Sequence, residues 1–232
     1  MSLNKAQKEA VSHKEGPCLV LAGPGSGKTL TIAKRIEYLI KVYKVRPEEI
    51  LVITFTKYAA GEMRDRFQYV MEGRRLPVTF GTFHGIFYGI LKWAYRLNQS
   101  NLLSDEEKYR ILREILPGID WDQEPEADEE KDYLQELAIE IGNVKNNCMD
   151  IEEYEPVKYT TEKFRKLYRT YEETKKKYRK IDFEDMLIQC RDLFMKRPDI
   201  LKKWQEKFQY ILVDEFQDVN QAQYDVVRML AA

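Results

Sequence analysis

The sequence predicts an α/β domain built on a parallel sheet and carrying an inserted all-helical subdomain. Three observations point there. Short apolar runs alternate with helical patterns near the start of the chain. The first run leads into a glycine-rich loop of the phosphate-binding kind. A last apolar run, ending in paired acids, follows a long stretch with no strand pattern. Continuous apolar strands alternating with helices mark a parallel sheet covered on both faces.

Pro17-Cys18-Leu19-Val20-Leu21 reads as a buried strand entering the glycine-rich loop. From Lys28 to Tyr43 the residues Ile32, Ile36, Leu39, Ile40 and Tyr43 share one face of a helix. Ile50-Leu51-Val52-Ile53-Thr54-Phe55 is a second buried strand, and Ala59, Ala60, Met63, Phe67, Val70 and Met71 mark a second amphipathic helix. Val78-Thr79-Phe80 is a third strand, with Phe83, Phe87, Ile90, Leu91 and Ala94 on the helix after it. Tyr210-Ile211-Leu212-Val213 is the last strand. Between about Asn98 and Lys180 only helical patterns occur, punctuated by Pro117, Pro125 and Pro156. The sheet domain is therefore expected over 1–97 and 181–232, and the helical subdomain over 98–180.

Composition sets outer limits. Of 232 residues, 44% are hydrophobic, enough for a real core, and the net charge of −1 gives no whole-chain basic field. Local patches weigh more than the total in such contacts. An acidic stretch spans 120–132, and the basic run Lys175-Lys176-Lys177-Tyr178-Arg179-Lys180 reads as a solvated helix face rather than a DNA patch. Cys18, Cys148 and Cys190 are odd in number and far apart, which argues against a disulfide framework or zinc site and for a reducing, cytoplasmic setting. No apolar stretch reaches membrane length, so no membrane partner is expected.

Two motifs carry chemistry. Ala22-Gly23-Pro24-Gly25-Ser26-Gly27-Lys28-Thr29 fits the phosphate-loop pattern G-x-x-x-x-G-K-[ST], with Ala22 at the first position. Its glycines let backbone N–H groups ring a triphosphate, Lys28 reaches the β and γ phosphates, and the Thr29 hydroxyl ligates Mg²⁺. The helix that follows aims its positive end at the anion. The second motif is Asp214-Glu215-Phe216-Gln217-Asp218 at the end of an apolar strand. Asp214 is expected to hold Mg²⁺ and Glu215 to take a proton from the attacking water. The expected cofactors are ATP and Mg²⁺.

Further segments extend the pattern. They are Leu3-Asn4-Lys5-Ala6-Gln7; Thr54-Phe55-Thr56 with Ala59-Ala60 and Glu62-Met63; Gly81-Thr82-Phe83-His84; Asp182-Phe183-Glu184-Asp185; and, after the acids, Asn220 with Gln223-Tyr224. With the phosphate loop and acidic motif in this order, the chain resembles the first half of the UvrD/Rep family of superfamily 1 DNA helicases over essentially its whole length.

The resemblance implies a RecA-like P-loop NTPase domain with a helical insertion. It implies an ATP-dependent 3′–5′ DNA helicase that moves along single-stranded DNA, meets single/double-strand junctions, and serves repair, replication or recombination. Gln7 would read adenine, Phe55 would stack on a base, and Thr82 and His84 would contact the DNA backbone. Against these stand structural roles: core for Phe55, helix capping for Thr82 and His84. Leu30 stands where the family usually has a stacking arginine, so base discrimination is expected to be modest. Lys57-Tyr58 replaces the usual Asn-Lys of the first DNA motif. The family's arginine fingers belong to a second RecA-like domain, expected as a partner in a longer chain, and residues 1–232 alone are expected to be nearly inactive. The rivals are a nucleotide-dependent DNA-binding module without motor activity, and a P-loop kinase.

Overall fold

The computed structural model describes residues 3–119 and 130–232. Most of the acidic stretch 120–132 lies outside them. The chain divides into two compact units, one of residues 1–86, 198–218 and 229–232, the other of residues 87–197 and 219–228.

In the first unit three parallel strands, β1 (Ile50–Thr54), β2 (Thr79–Thr82) and β3 (Tyr210–Val213), lie in the order β2-β1-β3. The central strand, β1, is buried at every position, as its unbroken apolar run predicts. Ile50 and Val52 point to one face, where they meet Ala33, Ile36 and Leu39 of helix α2 (Lys28–Lys41) and Met63 and Phe67 of helix α3 (Lys57–Val70). Helix α1 (Lys5–Ser12) packs on α2. The parallel sheet with helices between its strands is the expected α/β class.

One expected strand does not form. Residues 17–23 have no regular structure, and Leu19, Val20 and Leu21 are exposed, Leu21 by 88%. The physical reason is the lack of a covering layer: the run itself is exposed. β3 is an edge strand, its four residues are all only partly buried, and the run makes no ladder with it. Apolar content drives a segment into a sheet only where a neighbouring edge and a covering layer receive it.

The second unit is helical over most of its length. Helices α4 (Phe83–Tyr95), α5 (Asp105–Ile115), α6 (Glu130–Asn146), α7 (Thr161–Lys177) and α8 (Phe183–Lys196) come in chain order; the first turn of α4 belongs to the other unit. Leu112, Leu137, Ile141, Phe164, Leu167 and Tyr171 form the core. Helix α5 begins at a reciprocal cap between Ser104 and Glu107, with Asp105, Glu106 and Glu107 in the first turn, where the helix dipole favours acids. Helices α9 (Pro198–Lys207) and α10 (Gln221–Leu230) complete the chain. Among the described residues no helix is long and apolar enough to cross a membrane.

A buried ionic network ties α6, α7 and α8. Lys145 Nζ donates to Asp182 Oδ2 at 2.8 Å and Asp185 Oδ1 at 2.7 Å. Lys175 Nζ donates to the same two carboxylates at 2.8 and 2.5 Å. Glu172 lies 2.6 Å from Lys145 and 2.9 Å from Lys175. Burial alone would push the Lys145 ammonium down, but three carboxylates outweigh it and hold it well above its ordinary value. Lys175 is 1% exposed, so the basic run is not uniformly a solvated face. One residue of it turns inward, because acids on α8 are within reach.

Candidate nucleotide site

The expected site residues all belong to the first unit. Parallel register brings the strand ends to one edge of the sheet. Thr54 pairs with Thr82, and Ile53 with Val213. Phe55, His84 and Asp214 follow closely after those ends, where ligands of open α/β sheets bind.

The phosphate loop runs into α2 without a side-chain cap. Gly27 occupies the N-cap position at φ +83°, and Gly25 has φ +72°. Both conformations favour glycine. Gly27 meets a second constraint: a Cβ there would lie 3.2 Å from Gln7 Nε2. The Ser26 N–H donates to Gly23 O at 3.3 Å, which closes the turn. Gln7 sits at the third position of α1. Its Oε1 accepts the Asn4 N–H and its Nε2 donates to Ser26 O, both at 2.9 Å. The expected base reader thus lies against the loop.

Lys28 Nζ meets Glu215 Oε1 at 2.5 Å, across 187 residues of sequence. Both side chains remain about a third exposed. The hydrogen bond to Glu215 raises the lysine above its ordinary value and, reciprocally, lowers the glutamate. Gln217, whose part the sequence reading missed, donates from Nε2 to Glu215 Oε2 at 2.6 Å. Glu215 has φ +50°, an uncommon backbone for a side chain of its size. Asp214 is half-buried, its N–H donates to Ile53 O at 2.9 Å, and burial with the neighbouring Glu215 charge raises its carboxyl. Ala22, Gly23 and Pro24 lie in the loop, and Thr29 lies in the first turn of α2.

Phe55 is 37% exposed and packs edge-on against Phe83 at 5.3 Å. That leaves ring surface open to solvent while a neighbour fixes its plane. Thr82 Oγ1 accepts the Gly85 N–H at 3.1 Å, the hydrogen bond of a helix cap. His84 is partly exposed in the first turn of α4.

The arrangement sets a glycine-rich loop, the Lys28 ammonium and the Glu215 carboxylate together, with Asp214 next to Glu215 in the chain. That donor set suits a metal-bound polyphosphate. The family described as UvrD/REP helicase N-terminal domain matches residues 3–232. The chain is 38% identical to YjcD of Bacillus subtilis (strain 168) over 100% of the chain and 31% of that protein. It is 34% identical to DNA helicase II of Escherichia coli (strain K12), over 99% of the chain and 32% of the relative. It is also 34% identical to the ATP-dependent DNA helicase PcrA of Bacillus subtilis (strain 168), over 99% of the chain and 31% of the relative. The chain thus spans about a third of the length of the relatives it matches.

Proposed function

Given that the chain belongs to the UvrD/REP helicase N-terminal domain family, we propose that it is the ATP-binding part of an ATP-dependent DNA helicase moving 3′ to 5′ on single-stranded DNA. One observation carries the reading: Lys28 and Glu215, 187 residues apart, meet at 2.5 Å at the mouth of the phosphate loop. On this reading the sheet domain comprises 1–97 and 181–232, with the helical subdomain 98–180 inserted. A second RecA-like domain of a longer protein faces the site, and the setting is cytoplasmic.

The residues present fit Mg·ATP. Gly25 and Gly27 keep the loop open to the phosphates, and Gln7 stands beside it for the base. Bound Mg²⁺ would supply charge neutralisation to the phosphates. Lys28 would leave Glu215 to bind phosphate. Thr29 and Asp214 would hold the metal. Glu215, released from the lysine and still held by Gln217, orients a water and accepts its proton. Phe55 offers its open face to a base, and Thr82 and His84 lie beside it for the DNA backbone near a single/double-strand junction.

Titration calorimetry with Mg·ATP tests the site. Lys28→Ala should lower the affinity at least tenfold, since it removes the one mobile cation of the loop. Equal affinities for the two proteins would sink the proposal.

A further inference from the structure

We propose that Arg35 positions the base-reading glutamine, by fastening α1 to α2 at the end opposite Gln7. The inference rests on the reading of Gln7 as the residue that meets the base.

Helix α1 is eight residues long, too short to hold its shape unaided. Its N-terminus is closed by the Asn4–Gln7 capping box, which uses Gln7 Oε1 and leaves Nε2 directed at the phosphate loop. Its C-terminus has carbonyls with no partner inside the helix. Arg35 Nη1 donates to three of the carbonyls at that end: Ala10 O at 3.2 Å, Val11 O at 3.3 Å, and His13 O. The Tyr43 hydroxyl donates to Ser12 O at 2.6 Å from the same side. A guanidinium at a helix C-terminus also complements the dipole. Among the described residues Arg35 has no carboxylate partner, although it is half-buried. Its charge serves the helix end.

The location matters as much as the contacts. Lys28 opens α2, and Arg35 lies about two turns further on, near the same face. One rigid helix therefore carries both the phosphate-binding lysine and the clamp on the base reader. Base recognition is held in register with phosphate recognition through Arg35, which touches neither part of the nucleotide.

The test compares Mg·ATP, Mg·GTP and base-free Mg·tripolyphosphate by calorimetry on residues 1–232. Arg35→Ala should weaken Mg·ATP by about three- to tenfold, the worth of one hydrogen bond. The ATP:GTP ratio should fall toward one, and tripolyphosphate affinity should stay at the wild-type value. Arg35→Lys should recover part of the ratio. Should Arg35→Ala fail to fold, Tyr43→Phe removes the neighbouring tether and should lower the ratio in the same direction by less. An unchanged ratio in a folded variant, or an equal loss of tripolyphosphate binding, overturns the inference. Gln7→Ala separates the two readings. If Gln7→Ala lowers the ratio and Arg35→Ala does not, only the role of Arg35 falls; if Gln7→Ala leaves the ratio intact, the base-reading role falls and this inference with it.

Discussion

Gly27 shows how much one position can be asked to do. It must turn the chain at φ +83° and admit the Gln7 amide to within 3.2 Å of where a Cβ would stand. Gly27→Ala should therefore strain the backbone by about 1–2 kcal/mol and also push Gln7 aside. Calorimetry should show Mg·ATP affinity reduced by more than tenfold in a chain whose helical circular dichroism is unchanged. Wild-type affinity would mean that the loop relaxes freely. The need for glycine here was legible in the sequence, because a phosphate loop is a local pattern. The sequence also pointed Lys28 and the acids at 214–215 to one place, and the structure brings Lys28 and Glu215 to 2.5 Å. Gln217 and Arg35 were not legible. Gln217 acts through a side-chain contact two residues back, and Arg35 through carbonyls more than twenty residues earlier, and neither leaves a spacing signature.

At the scale of elements, periodicity found α2 to α7 and found β1, β2 and β3 to within a residue or two, but it marked none of α1, α8, α9 and α10. It failed at 17–21, where an apolar run stays uncovered, and at Lys175, where a basic run hides one inward residue. Both failures concern long-range partners. The network that buries Lys175 joins three helices by charge, and Lys145→Met should expose its dependence on balance. The variant leaves Asp182, Asp185 and Glu172 around a single buried ammonium. Breaking one member of such a network costs about 3–5 kcal/mol. Urea denaturation should show a lower midpoint at an unchanged slope. A midpoint within error of the wild type would show that the remaining lysine and water carry the acids. Asp182 also caps α8 together with Asp185, so the same carboxylates start a helix and neutralise two lysines.

Over the whole molecule, charge nearly cancels, so electrostatic repulsion between copies is weak at neutral pH. That gives weight to the outward edge of β3. A strand with free N–H and C=O groups is a template for pairing, and Leu19, Val20 and Leu21 lie exposed in the same unit. The chain of 232 residues thus brings together an adhesive edge, an unshielded greasy segment and almost no net charge to keep copies apart. Its colloidal behaviour should follow. Sedimentation velocity should show association rising with protein concentration, and Leu21→Lys should shift the distribution back toward the monomer. A wild-type chain that stays monomeric at every accessible concentration would contradict this. Handling the protein then becomes a matter of dilution and of ionic composition, set by a few residues that take no part in chemistry.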